Sequence, residues 1–233
     1  YEISSTTNDR PDSGFENSLI SLGIATNYEQ FEDIFFSPSL KLTLDDLEVD
    51  NTASSNLKKQ AGSFTDLAFN YGISTDKRDR AFKPTDGYIA GFSQSLPVYA
   101  DSSHLRNTFY SSKYLAISPD FITAFKIYGS AVNGLSDDDV RLSKRLYLPQ
   151  KRLRGFKRNK VGPKDGSDYV GGNYNASFNI EANFPNLLPD NFRTEVGAFL
   201  DFGNVWGVDY DASINESNKI RSSAGLNASW LSP

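Results

Sequence analysis

Glu181 and Asp201 are the two acidic residues whose positions in the sequence could support chemistry. Glu181 lies in the middle of YNASFNIEANF (174–184), and Asp201 lies near the end of a second alternating segment, 196–202. Two neighbouring carboxyl groups can serve as acid and base in glycoside hydrolysis, but no sugar-binding aromatic platform can be assigned around this pair. Nucleophile elbows, phosphate-binding loops and dinucleotide fingerprints do not occur in context. We therefore predict no catalytic residues and no enzyme activity.

A basic connection, residues 144–172, could instead supply partners for the two carboxylates. Its cationic residues are Lys144, Arg145, Lys151, Arg152, Arg154, Lys157, Arg158 and Lys160. Arg154 at the tip of an inward-folded loop would satisfy Glu181 and Asp201 with charge-assisted, bidentate hydrogen bonds. Gly155 would permit a sharp turn, and Phe156 could wedge against the wall. Two other interpretations stay open: a loop and carboxylates that are simply solvated, or a patch for nucleic acid or anionic lipid.

The segments that carry these groups alternate strictly between apolar and polar residues. In 174–184, Tyr, Ala, Phe, Ile, Ala and Phe share one face, and Asn, Ser, Asn, Glu and Asn share the other. Similar alternation occurs at 20–28, 39–45, 66–74, 196–202 and 220–230, although Phe199 interrupts one polar face. Side chains on a strand point alternately to opposite faces, so each segment has an oily wall and a wet wall. This pattern is typical of a barrel that stands in lipid around a polar interior.

We therefore predict an all-β fold, a transmembrane antiparallel β-barrel that is incomplete and has about ten strands, in one domain over residues 1–233. The alternative from another class is a soluble β-rich binding protein, such as a sandwich adhesin, in which the apolar faces would form the core. Mean hydropathy is −0.47, and no run approaches the roughly 18 apolar residues of a transmembrane helix. A transmembrane β-barrel does not need such a run, because only alternate residues of its strands meet lipid.

Composition narrows the possible partners. The chain has no cysteine and one histidine, so disulfides and cysteine metal sites are excluded and histidine chemistry has little material. We predict no cofactor and no metal. The net charge of −5 argues against a nucleic-acid partner. Methionine is absent, including at position 1, so we expect a fragment or a processed piece of a longer protein.

A second constellation of polar residues lies in TDKRDRAFKPTDG. Its members are Asp76, Arg78, Asp79, Pro84, Thr85 and Gly87. We interpret it as a strand end, a turn and a new strand, with Asp86-Gly87 as a hairpin-type signal. Several aspartates in one turn could bind calcium, but their spacing does not match an EF-hand loop. The sequence therefore predicts a structural turn.

Several of these motifs resemble those of a known family. DKRDRAFKPTDG (76–87) resembles the D-x-R-D…P-T-x-G turn of the bacterial surface antigen superfamily, and LRGF (153–156) resembles its V-R-G-F/Y loop motif, with Leu in place of Val. VGPKD (161–165), GGN (171–173), DFGNVW (201–206) and residues 220–233 continue the similarity in order. FEDIFFSP (31–38) points within the superfamily to the BamA-like outer-membrane assembly factors.

The resemblance implies an outer-membrane barrel of sixteen strands that follows periplasmic POTRA domains. Residues 1–233 would then be the C-terminal surface-antigen barrel domain, truncated at both ends and without POTRA domains. Arg154 corresponds to the arginine of the family's inward-folded loop, and Glu181 and Asp201 correspond to its acidic partners on the wall.

The resemblance also implies a function. The family assists folding and insertion of other barrel proteins in the bacterial outer membrane, without nucleotide. The implied partners are unfolded outer-membrane barrel clients, accessory assembly lipoproteins and outer-membrane lipid. A secretion pore or autotransporter-assembly pore of the same superfamily is the alternative, because these proteins share the loop motif.

Overall fold

Antiparallel strands account for most of the structure, a computed structural model that describes residues 1–189, 192, 194–214 and 218–230. The strands are β1 (Glu2–Arg10), β2 (Phe15–Ala25), β3 (Tyr28–Phe31), β4 (Ile34–Phe36), β5 (Ser39–Val49), β6 (Gly62–Asp76), β7 (Gly87–Ala100), β8 (His104–Ser118), β9 (Phe121–Gly134), β10 (Lys164–Asp165), β11 (Asp168–Tyr169), β12 (Tyr174–Phe184), β13 (Thr194–Trp206) and β14 (Arg221–Trp230). The structure also contains one short helix, α1 (Ser55–Lys58), and 3-10 turns at Pro11–Ser13, Leu142–Lys144 and Gln150–Arg152. Positions 231–233, the end of the last motif, lie outside the described residues.

Among the described residues, one sheet contains twelve of these strands. Ten of them follow one another in the order β1-β2-β5-β6-β7-β8-β9-β12-β13-β14, and every neighbouring pair is antiparallel. β3 and β4 form a short hairpin whose second strand also pairs with β6. Within the described residues no helix is long and apolar enough to cross a bilayer.

The sheet curls around the connection between β9 and β12, residues 135–173, which we call the luminal loop. This loop forms ion pairs with β6 through Arg141 and with β13 through Arg154. β7, β8, β9 and β12 separate those two strands in the sheet. A single loop reaches both only because the sheet bends around it. The fold is therefore the predicted transmembrane β-barrel, here incomplete, with about ten strands.

The two faces of the sheet differ in the sense that a lipid environment requires. On β12, Asn175, Ser177 and Asn179 are buried, whereas Phe178 between them is 37% exposed. On β13, Leu200 is 44% exposed and its neighbour Asp201 is fully buried. A soluble sheet buries its apolar face, so the sandwich alternative is wrong. The apolar face is the outer wall, which meets lipid, and the polar face lines the lumen.

Buried apolar side chains gather where the loops cover one mouth of the barrel. The principal cluster contains Phe15, Leu47, Ala53, Leu57, Leu142, Val170, Val208 and Ile214. Leu57 belongs to α1, whose first turn is capped because the Ser54 hydroxyl accepts a hydrogen bond from the Leu57 N–H. Loops from distant parts of the chain thus pack together as a small hydrophobic core above the polar lumen.

The turn between β6 and β7 is longer than the Asp86-Gly87 signal suggested. The connection comprises residues 77–86, and Gly87 begins β7 with φ of 92°. Its organising group is the Asp79 carboxylate, which accepts hydrogen bonds from the Thr85 N–H (2.9 Å), the Thr85 hydroxyl (2.7 Å) and the Asp86 N–H (3.2 Å). The connection is therefore a ten-residue turn closed by the Asp79 side chain, and it is not a two-residue hairpin turn.

The remaining members of the turn motif support this arrangement. The Arg78 side chain donates to both oxygens of Asp76, from Nε at 2.8 Å and from Nη2 at 2.7 Å. Pro84 restricts the backbone φ just before Thr85. Lys83 Nζ reaches Glu195 Oε1 of β13 at 2.9 Å, so the turn folds inward across the second mouth of the barrel.

The three hydrogen bonds to the Asp79 carboxylate predict that it titrates at an unusually low pH. The hydroxyl of Thr85, with the backbone donors, lowers the pKa of Asp79 to about 2. A carboxyl whose pKa is lower in the folded state stabilises the fold above its unfolded pKa of about 3.9, and that contribution is lost as pH falls through the folded pKa. We expect carboxyl-carbon NMR in detergent micelles to place the Asp79 midpoint near 2 and Thr85→Val to raise it. An unchanged midpoint in Thr85→Val would show that the hydroxyl does not hold the charge.

The surroundings of Gly87 predict that this position does not tolerate a side chain. A Cβ there would lie 2.0 Å from the Lys77 carbonyl oxygen, and its φ is 92°. Gly166 has a φ of 62°, and no atom lies within 4 Å of the position that a Cβ would take there, so Gly166→Ala is the matched control. We expect Gly166→Ala to cost about 1 kcal/mol for backbone strain and Gly87→Ala to cost about 1–3 kcal/mol more for the clash. Urea unfolding, followed by heat-modifiable gel migration, measures the free energy of unfolding of both variants. Equal decreases in the two variants would contradict the predicted clash at Gly87.

Candidate functional site

The candidate site is the contact between the luminal loop and the inner wall formed by β12 and β13. Two wall side chains donate to loop carbonyls: Asn175 Nδ2 to Tyr147 O at 3.1 Å and Asn179 Nδ2 to Arg152 O at 2.8 Å. Gly172 is paired with Leu146 within the loop, and a Cβ at Gly172 would lie 2.4 Å from the Trp206 carbonyl oxygen. Small and amide side chains thus allow the loop backbone to lie directly on the wall.

Arg154 meets Asp201 in a bidentate ion pair. Arg154 donates from its backbone N (2.9 Å) and from Nε (2.8 Å) to Asp201 Oδ2, and from Nη2 to Oδ1 (2.6 Å). Asn179, directly opposite Asp201 on β12, adds a fourth hydrogen bond of 2.8 Å to Oδ1. The Asp201 side chain is fully buried, and four donors compensate for its lost hydration.

Glu181 is the second acidic group at Arg154. Its Oε1 lies 3.1 Å from Arg154 Nη2, and its Oε2 accepts from Lys126 Nζ on β9 at 2.5 Å. Two cations therefore face two carboxylates within the lumen. Balanced charge in this confined space avoids the cost of an isolated buried ion.

An aromatic ring completes the arginine's surroundings. The Arg154 Cζ lies 3.7 Å from the centre of the Phe199 ring, in cation–π geometry. Phe199 is the residue that interrupts the polar face of β13, and this contact is the reason. Gly225 on β14 is paired with Phe199, and a Cβ there would lie 2.6 Å from the ring. The absent side chain makes room for the aromatic ring.

The neighbours of Arg154 in the sequence support its position. Gly155 has φ of 82°, a left-handed conformation that turns the chain at the tip of the loop. Leu153 is buried in a cluster with Leu148, Val161 and the wall residue Val205, and Phe156 packs against this cluster. The structure therefore brings together Arg154, Gly155, Phe156, Glu181 and Asp201, whereas the turn motif at 76–87 lies apart from them.

A further ion pair joins the luminal loop to the connection after β13. The guanidinium of Arg145 donates to the Asp209 carboxylate, which also accepts from the Val140 N–H at 3.0 Å and from Asn173 Nδ2 at 2.8 Å. Burial acts to raise the pKa of Asp209, but Arg145 and these donors outweigh it, and the pKa falls below its ordinary value. Asp209 therefore stays charged and holds two loops together near neutral pH.

Sequence reasoning missed several residues of this network. Asn179, Lys126 and Phe199 were not predicted as members of the site, and Arg141 lies just before the basic segment 144–172. The alternating pattern can identify further carboxylates that face the lumen, because Asp45 and Asp66 also lie on polar faces of alternating strands. No comparable local signal identifies which cation meets which carboxylate.

The chemistry of the site is that of an ionic clamp. In the described part of the chain, no group of three or more His, Asp or Glu side chains converges as metal ligands would. The carboxylates of Glu181 and Asp201 are both engaged by cations. The arrangement can hold a loop against a wall and fix the shape of the lumen.

Comparison with known proteins identifies the family. The family model of the Omp85 superfamily domain matches residues 4–233. BamA, an outer membrane protein assembly factor of Neorickettsia risticii, is 25% identical over 215 residues, which cover 90% of this chain and 29% of that protein. A SAM50-like protein of Schizosaccharomyces pombe is 28% identical over 198 residues, which cover 78% of this chain and 41% of that protein. BamA of Nitratidesulfovibrio vulgaris is 24% identical over 195 residues, with 80% and 24% covered. This chain thus spans less than half the length of these curated relatives.

A solved structure shares the fold. The crystal structure of BamA from Haemophilus ducreyi lacking POTRA domains 1–3 superposes with a TM-score of 0.84 at 18% identity, over 99% of this chain and 52% of that one. The ordered motifs and these matches agree, and the resemblance drawn from the motifs is confirmed. The chain belongs to the Omp85 superfamily.

Proposed function

We propose that residues 1–233 form the membrane-embedded barrel domain of an outer-membrane assembly factor, which helps other barrel proteins to fold and insert. The observation that carries this proposal is the similarity along 90% of the chain to a protein named as an outer membrane protein assembly factor. Two relatives so named are bacterial, which supports a bacterial outer membrane. The similar SAM50-like protein belongs to a yeast, so the bacterial location is the narrower part of the proposal.

The proposed mechanism requires no nucleotide and no covalent step. A barrel with a weak seam offers unpaired strand edges on which a client strand can form backbone hydrogen bonds. A locally thinned bilayer lowers the cost of bringing polar client segments into the membrane. Its partners are unfolded barrel clients, outer-membrane lipid and accessory assembly lipoproteins.

The described residues would contribute the wall and the clamp. Apolar side chains such as Phe178 and Leu200 face lipid, and the luminal loop occupies the interior through the ion pairs of Arg154. An occupied lumen favours action at the wall and its edges over passage of a substrate through the bore. We infer that the clamp keeps the wall in the shape that a client strand meets.

The function is tested with the full-length protein in phospholipid vesicles. An unfolded eight-stranded barrel is diluted from urea, and its insertion is followed by heat-modifiable gel migration. We expect insertion to be at least about tenfold faster than in empty vesicles, equivalent to a barrier lower by about 1.4 kcal/mol, without added nucleotide. An unchanged insertion rate, together with export of a soluble polypeptide from the same vesicles, would instead support the secretion pore.

The clamp itself is tested by Arg154→Ala. This change strands the buried Asp201 carboxylate, and removal of one partner from a buried pair costs about 3–5 kcal/mol. We expect the free energy of unfolding in urea to fall by about 3 kcal/mol, the lower end of this range, because the Arg154 side chain is 25% exposed and so not fully buried. Arg154→Lys keeps the charge but not the bidentate geometry, and we expect a smaller loss.

Arg158→Ala is the matched control for the clamp. Arg158 lies in the same loop, is exposed, and forms no ion pair with any described residue. We expect its unfolding midpoint and its insertion activity to equal those of the wild type. If Arg154→Ala behaves like Arg158→Ala in both measurements, the clamp has no role in stability or assembly.

A further inference from the structure

A second set of ion pairs holds the luminal loop at the opposite wall. Arg141 Nη2 lies 2.8 and 2.6 Å from the two carboxylate oxygens of Asp66 on β6, and Lys144 Nζ lies 2.7 Å from the same carboxylate. Lys144 Nζ also lies 3.6 Å from Asp45 on β5, and the Ser143 hydroxyl donates to Asp45 at 2.6 Å. We call Arg141, Ser143, Lys144, Asp45 and Asp66 the second anchor.

The second anchor is as deeply buried as the clamp at Arg154. The Asp45 side chain is fully buried and that of Arg141 is 5% exposed. The Arg141 Cζ lies 4.1 Å from the centre of the Phe64 ring, and Asn17 on β2 donates to Asp45 at 3.0 Å. Two cations again face two carboxylates, so the charges balance and neither carboxylate is left alone.

Between its two anchors the loop touches the intervening wall. Arg106 on β8 donates to the Lys144 carbonyl at 2.5 Å, and the Arg152 Cζ lies 4.5 Å from the centre of the Tyr128 ring on β9. Residues 141–154 therefore follow the inside of the sheet from β5 and β6 to β12 and β13. Each end of this path is fixed to strands by buried ion pairs. Between the ends, Arg145 pairs with Asp209, which belongs to the connection after β13 and not to a strand, and Asn175 on β12 donates to the Tyr147 carbonyl.

We propose that the luminal loop is a cross-brace, in which the second anchor and the Arg154 clamp act in series to fix the distance between two facing walls. A loop anchored at one end can move with that wall and does not constrain the other. A loop anchored at both ends resists flattening of the sheet, because greater separation of the walls must break one set of buried ion pairs. Arg141 is then a positioning residue, and its effect extends to the far wall. This role concerns barrel shape and stands whether or not the protein assembles clients.

A distance across the lumen tests the brace directly. Residues 1–233 contain no cysteine, so Leu42→Cys on β5 and Leu200→Cys on β13, both on the lipid-facing side, are the two labelled positions in this part of the protein. Any cysteine outside residues 1–233 is first replaced by serine. Pulsed electron–electron double resonance on the full-length protein in detergent reports the distribution of distances between the two spin labels. We expect Arg141→Ala and Arg154→Ala each to broaden it about twofold, and the double variant to broaden it no further, because elements in series fail together.

Controls separate the brace from a merely local stabilising contact. Arg141→Lys keeps the charge, and we expect it to restore most of the narrow distribution. Lys113→Ala removes an exposed pair with Asp86, and we expect no change. Lys144→Gln leaves Arg141 on Asp66 and supplies a milder variant if Arg141→Ala does not fold. A wild-type distribution in Arg141→Ala, or in Lys144→Gln where Arg141→Ala does not fold, would overturn the proposal, and so would additive broadening in the double variant.

Discussion

The fold depends on the neutralisation of charge inside a wall whose outside is apolar. Asp201 shows the constraint most clearly, because its fully buried carboxylate is compensated by Arg154 and Asn179. A carboxylate in such a place without partners would cost several kcal/mol. The sheet must therefore curl around a segment that brings cations, and the luminal loop brings them. Barrel curvature and loop position thus follow from one electrostatic requirement.

The strand faces could be predicted from the sequence because they depend on a local period. Residues 174–184 alternate over their whole length, and Phe178 is exposed while Asn179 is buried, as the barrel interpretation requires. The same pattern marked Glu181 and Asp201 as lumen-facing acids. The conformation at Gly155 followed from residue type, since glycine adopts positive φ at little cost.

The rest of the site could not be predicted because its contacts join residues that are distant in the sequence. Arg141 meets Asp66 across 75 positions, and no period or motif in the chain encodes that pairing. The apolar cluster that includes Leu57 and Leu142 joins loops from separate parts of the chain. Phe199 looked like an error in the alternation, and only the position of the Arg154 guanidinium explains it.

The contact between Lys83 and Glu195 has a mechanical consequence. Glu195 and Asp201 lie on the same strand six residues apart, a distance of about 20 Å at the usual rise per residue. The rim turn that contains Lys83 is thus tethered to the strand that carries the clamp. Force applied to that rim, for instance by a domain that contacts it, would be transmitted along β13 to Asp201 and so to Arg154 at the inner wall.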